Sequence, residues 1–245
     1  MQGKVKDEVK DKVMMNDKWE FNEEVTRCFD EMLERSIPEY TLMRDLVFKV
    51  GKHFVKHNTN IVDIGCSNGN AIEPFLRKFG AINKYKLIDV SEPMLRECKL
   101  KYKNWIDLNL VDVMNYDLKQ GLPDECLKSS LILSILTLQF TPIEYRHKII
   151  QSIYNSLNYG GAFIFVEKVL GNTSAIDEVL VDEYYELKRD NQYTNEQIVN
   201  KRKSLEGVLV PITQNWNVEL LKSAGFSQVD CFWRCLNFCG FIAIK

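Results

Sequence analysis

Histidine is scarce in this chain, with three in 245 residues, and no second group of soft ligands makes up for it. The seven cysteines are scattered at 28, 66, 98, 126, 231, 235 and 239. Cys231, Cys235 and Cys239 lack the second pair of a zinc site, and period-two alternation would place them on one strand face, so no metal is expected. An odd count of this kind is no disulfide framework, and reduced thiols point to the cytoplasm. No run approaches the roughly 20 apolar residues that span a bilayer, so no membrane partner is expected. The opening "MQGKVKDEVKDKVMMNDKWEF" has no apolar segment of the secretory kind. Net charge is -2 with 27% charged residues, which gives no basic field for a phosphate backbone, and nucleic acid is not an expected direct partner. Internal repeats and low-complexity tracts are absent as well.

What is present is enough chain for one large core. Residues 1–18 offer few apolar side chains and read as a mobile arm, leaving 19–245 as a single domain. Helical spacing predicts a helix over 23–35 and a second over 41–56. Strand, turn and helix then alternate. "NIVDIG", "KYKLIDV", "LNLVDV", "SSLILSILTLQF" and "GGAFIFVEK" are the predicted strands, with helices between them. That order predicts an α/β fold with a mostly parallel, doubly wound sheet. The tail "QVDCFWRCL" and "NFCGFIAIK" predicts an antiparallel pair. Between strand five and this pair, helices over 175–190 and 194–206 form an insertion, about 172–210, over the sheet's active edge.

Ligands of open α/β sheets bind beyond the carboxyl ends of the strands. The turn in "NIVDIGCSNGNA" follows Asp63, opens on Gly65 and closes on Gly69, with Ser67 where a dinucleotide loop more often has its second glycine. Asp89 ends the second predicted strand, where an acid accepts hydrogen bonds from ribose hydroxyls. Asp112 is placed at the end of the third, where it can accept from an adenine amino group. Three acids at three consecutive strand ends, with a terminal antiparallel pair, resemble the class I S-adenosylmethionine-dependent methyltransferases. That resemblance implies a Rossmann-like seven-stranded sheet of order 3-2-1-4-5-7-6 and S-adenosylmethionine as cofactor.

A closer resemblance runs through "FDEMLERSIPEY", "DIGCSNG", "TLQF", "FVEK", "QYTNEQIVNKRKSLEGV" and "LNFCGFIAIK". These are similar to the carboxy-S-adenosyl-L-methionine synthases, which use prephenate to carboxylate S-adenosylmethionine for a partner enzyme acting on the wobble uridine of tRNA. The resemblance implies cofactor contacts at Tyr40, Gly65, Cys66, Ser67, Asp89, Val90, Asp112 and Val113. It also implies that Arg202 in "NKRKSLE" holds the added carboxylate, as a guanidinium does through paired hydrogen bonds. The chain departs from the subgroup at Ile135, a cofactor-pocket position where the pattern has Asn. Tyr184 and Tyr185 stand where the pattern has paired histidines.

Four functions are open at this point. A small-molecule methyltransferase needs little beyond a nucleophile held in line with the sulfonium. Carboxylation of S-adenosylmethionine makes the carboxylated form its product, and a cofactor-binding partner or sensor would turn nothing over. An RNA methyltransferase is a further alternative. Tyr40, Tyr184, Tyr185 and Tyr193 are candidate walls for the cationic sulfur, with Tyr185 a candidate catalytic residue. Glu167 is a candidate base. The apolar hairpin "CFWRCLNFCGF" suggests a two-fold homodimer.

Overall fold

The computed structural model describes residues 11–14 and 17–245. Numbered along the chain, its strands lie in the order 3-2-1-4-5-8-7, the order the resemblance implied once a short sixth strand off the main path is counted. The parallel part is β1 (Asn60–Ile64), β2 (Lys84–Asp89), β3 (Val111–Asn115), β4 (Ser129–Ile135) and β5 (Leu157–Leu170). A two-residue strand, β6 (Ile212–Thr213), adds to the end of β5. The closing hairpin is β7 (Gln228–Cys235) and β8 (Phe238–Ile244), with β8 antiparallel to both β5 and β7.

Alternation along the strands divides the core between two faces. Ile61, Leu131 and Ile164 face one layer, with Met43 and Phe75. Val62, Ile132 and Phe163 face the other, with Ile149 and Ile153. Asp63 has the parity of Ile61 and is buried at the tip of β1. The sequence of β1 therefore aims one carboxyl into the interior at the ligand-binding edge.

The helix predicted over 23–35 breaks at Cys28, whose backbone leaves the helical region, giving α1 (Glu23–Arg27) and α2 (Phe29–Ser36). The next, α3 (Tyr40–Gly51), buries Met43 and Val47 and leaves Leu42 exposed. Between the strands lie α4 (Glu73–Phe79), α5 (Glu92–Lys101), α6 (Lys103–Asp107) and α7 (Ile143–Ser156). In α5, Ser91 caps the first turn by accepting from the Met94 N–H, with Pro93 where a missing donor does no harm.

The insertion is two helices, α8 (Ser174–Asp190) and α9 (Asn195–Leu205). A reciprocal capping box between Thr194 and Gln197 fixes the start of α9. After it, α10 (Gln214–Ser223) leads into the hairpin. The insertion is tied to the first helices by polar contacts. Arg35 Nε donates to the Asn191 carbonyl at 2.9 Å, and Asn191 Nδ2 donates to the Arg35 carbonyl at 3.0 Å. Arg35 also stacks 4.1 Å from the Tyr193 ring centroid.

The segment read as a mobile arm is only partly packed where it is described, with Lys12, Met14, Asp17 and Lys18 exposed. Asp11 and Val13 are buried, and Asp11 bonds the Tyr193 hydroxyl and pairs with Lys201 at 3.5 Å. The rest of that expected arm, residues 1–10 and 15–16, lies outside the described residues. Trp233, Phe238, Cys239 and Phe241, which made the hairpin look like an interface, are buried within the chain itself. No helix among the described residues is long and apolar enough to cross a membrane.

Candidate active site

A cavity of about 760 Å³ opens at the carboxyl ends of β1, β2, β4 and β5, beneath α8 and α9. Its size suits a cofactor with a second small molecule. The loop after β1 forms one wall. Gly65 has φ +67°, and a Cβ there would lie 2.2 Å from the Thr137 side chain. Gly69 has φ +80°, and a Cβ there would lie 2.6 Å from the Tyr102 ring. Both positions therefore require glycine. Between them Ser67 also has positive φ, and its N–H donates to Asp89 Oδ2 at 2.8 Å. From outside, Asp30 on α2 accepts from Asn68 and Asn70 at 2.8 and 2.7 Å, which clamps the loop.

The loop is shaped from both sides, and its acids are held at the cavity. Asp89 takes the Val90 and Ser91 N–H groups on its other oxygen, at 2.7 and 2.9 Å. Asp63 lines the cavity, and its Oδ2 has no hydrogen-bond partner among the described residues. Burial pushes its carboxyl up to about 7, against the lowering pull of Arg44. An orphaned acid of this kind suits a cationic ligand group. The chain's residues thus fit S-adenosylmethionine, whose ammonium and sulfonium are both cations, on an observation independent of the glycine turn.

Other expected site residues fall in or out of the cavity. Tyr40, Cys66, Val90, Ile135, Tyr184, Tyr185 and Arg202 line it. Tyr193 does not; its hydroxyl is used by Ser36 at 3.0 Å and by Asp11 in the junction between insertion and body.

Asp112 and Val113 are also outside, which corrects the sequence reading. The third strand begins at Val111, later than "LNLVDV" suggested, because Asn109 makes a left-handed turn after α6. Asp112 is thus the second residue of an edge strand, 49% exposed, and bonds Lys86 across the register of β2 and β3. The acid that follows the strand end and lines the cavity is Asp117, with Leu118 beside it. Its signal was present in "MNYDL", two residues past the true strand end.

Glu167 is corrected too. It lies within β5 rather than at its end, opposite Cys239, and does not line the cavity. Its Oε1 accepts from the Leu138 N–H at 3.0 Å, which holds the "TLQF" turn. Burial pushes its carboxyl up to about 8, while Arg146 and the backbone N–H groups of Thr137, Leu138 and Gln139 draw it down. At neutral pH it is a buried acid fixing a turn. Glu167→Gln is expected to leave catalysis and stability nearly unchanged, whereas Glu167→Ala costs about 1–3 kcal/mol by orphaning backbone donors. Urea unfolding and turnover of both variants check this, and a rate collapse in the Gln variant without loss of stability would restore the base role.

Asp63 gives a pH signature. A cationic ligand stabilises the carboxylate, so binding expels the proton that the free site holds below about pH 7. Affinity for S-adenosylmethionine is expected to fall as pH drops below 7, by up to about tenfold per unit, and Asp63→Asn to flatten the profile. Calorimetric titration across that range measures it. Stability has the opposite slope. The folded pKa is raised, so the contribution of Asp63 is full below its unfolded value and is lost as pH rises toward about 7.

The comparisons with known proteins agree with the geometry. Residues 61–161 match the methyltransferase domain family. The structure resembles human N-acetylserotonin methyltransferase in complex with SAM, with TM-score 0.60, 14% identity, and 91% of this chain and 55% of that one covered. Fold and site define an S-adenosylmethionine-dependent transferase. Curated relatives at 30–38% identity carry the name carboxy-S-adenosyl-L-methionine synthase, two of them as follows. The one from Methylococcus capsulatus is 38% identical over 230 residues, covering 94% of each chain. That from Staphylococcus epidermidis is 37% identical over 230 residues, covering 93% of this chain and 97% of its own. The chain belongs to the carboxy-S-adenosyl-L-methionine synthase family.

Proposed function

We propose that this enzyme carboxylates S-adenosylmethionine, with prephenate as the source of the carboxyl group. The observation that carries this reading is the meeting, in one cavity, of the orphaned carboxyl of Asp63 with the guanidinium of Arg202. Prephenate loses its ring carboxyl and ring hydroxyl to become phenylpyruvate, the released carboxyl carbon bonds the sulfonium methyl carbon in place of one hydrogen, and that proton leaves with the hydroxide as water. Asp63 faces the ligand's cationic end, and Asp89 the ribose hydroxyls. Asp117 and Leu118 take the place at the adenine that the sequence had given to Asp112 and Val113. Arg202 makes no hydrogen bond or ion pair with any described residue, so its donors are free for the new carboxylate. Tyr40, Tyr184, Tyr185 and Phe238 exclude water from the reacting carbon.

Methyl transfer to an acidic small molecule is the second reading, favoured by Ile135, which brings no polar group to the cavity. Mass spectrometry of products formed from S-adenosylmethionine and prephenate separates the two. Carboxylated S-adenosylmethionine supports the proposal; its absence, with methylated acid instead, sinks it. In this reading the second substrate is a small molecule and no nucleic acid enters the cavity. The chain works as a homodimer, with β7 an open sheet edge, and sedimentation gives its mass directly.

A further inference from the structure

Four cationic side chains from three elements reach one wall of the cavity: Lys168 on β5, Lys188 on α8, and Lys201 and Arg202 on α9. Lys201 is paired with Asp11 at 3.5 Å. Lys188 is only 5% exposed and Lys168 is partly buried, yet neither forms an ion pair with a described carboxylate. Both amines instead lie against Tyr184, at 4.6 Å for Lys168 and 5.1 Å for Lys188 from its ring centroid. Lys188 is also 5.3 Å from the Tyr193 ring.

A ring face softens the desolvation of an ammonium but does not replace a counter-ion. Burial lowers Lys168 to about 8, with Asp177 raising it and Arg202 lowering it. It lowers Lys188 to about 7, with Lys201 and Lys168 adding to the shift and Asp11 opposing it. These are the charged groups that face the pair. Two amines at one ring, one buried and one partly so, without a paired carboxylate among the described residues and open to the cavity, call for an anion. The apolar lining beside them, Tyr185, Ile198 and Phe238, suits the carbon skeleton of an organic acid better than an inorganic anion.

We propose that Lys168 and Lys188, grouped at the Tyr184 ring, form an anion subsite that receives a carboxylate of the second substrate, distinct from the carboxylate held by Arg202. The identity of that acid rests on the carboxylation reading; the existence of the subsite does not. Anion binding favours the charged form of Lys188, so above about pH 7 the complex takes up a proton, and affinity falls as pH rises.

The test is calorimetric titration of prephenate, and separately malonate, into the full chain saturated with S-adenosylmethionine. It is run near pH 8 in HEPES and in Tris, whose different ionisation enthalpies report the protons exchanged. Wild type is expected to bind with net proton uptake. Lys188→Met and Lys168→Met should each weaken acid binding roughly tenfold to a hundredfold, with S-adenosylmethionine affinity retained as evidence of folding. Lys188→Arg should restore binding with less proton uptake than wild type, the remainder coming from Lys168. The proposal is overturned if the Met variants bind within about twofold of wild type, if wild type takes up no proton, or if neither acid binds. Should Lys188→Met not fold, the partly exposed Lys168→Met decides. Product formation by wild type, measured alongside, bears on the carboxylation reading alone.

Discussion

Arg202→Leu is expected to cut formation of carboxylated product by on the order of a hundredfold while S-adenosylmethionine binds as before. Arg202 lies on α9, solvent-exposed on one side and lining the cavity on the other, and no described carboxylate competes for its donors. Leucine keeps much of the side chain's apolar length on a helix whose end is already capped, so the change removes charge and donors with little else. Rate measurements by mass spectrometry and calorimetry on the same preparation check it. Equal loss of cofactor affinity would show that Arg202 serves the cofactor as a whole and not the added carboxylate.

Gly65→Ala is expected to destabilise the chain by about 2–4 kcal/mol and to erase cofactor binding with it. The backbone there is left-handed, and the new methyl would lie 2.2 Å from Thr137 Oγ1 and Cγ2 and 2.7 Å from Thr137 Cβ. Rotation of Thr137 relieves the first two contacts but not the third. Adding Thr137→Gly should therefore recover the steric part and leave only the backbone part. Urea unfolding of the single and double variants measures both, and a single variant as stable as wild type would contradict the geometry.

Much of this site was readable because its parts are local. Asp63, Gly65, Gly69 and Asp89 are set by strand ends and turns, where a few neighbouring residues decide the backbone. The insertion was readable as two helices between strand five and the closing hairpin, and the caps that start them, at Thr173 and Thr194, are equally local. Asp112 went wrong on a strand boundary. Alternation along "LVDVMN" gives no signal for where the strand stops, and Asn109 can turn the chain or continue it. Lys168 and Lys188 carried no signal at all. One follows Glu167 in a strand and the other sits among mixed charges on a helix, and they meet only when α8 folds back over β5. Asp11 was missed likewise, because its partners Tyr193 and Lys201 lie at the far end of the sequence.

The placement of β4 between β1 and β5 has one more effect. It keeps the carboxyl of Asp63 and the amine of Lys168 on strands roughly 10 Å apart, a spacing set by the hydrogen-bonded sheet. A molecule with positive and negative poles then has one favoured heading, as a compass needle has. Changes on α8 or α9 could alter which acid is admitted without turning the sulfonium around, because the sheet itself sets the needle's direction.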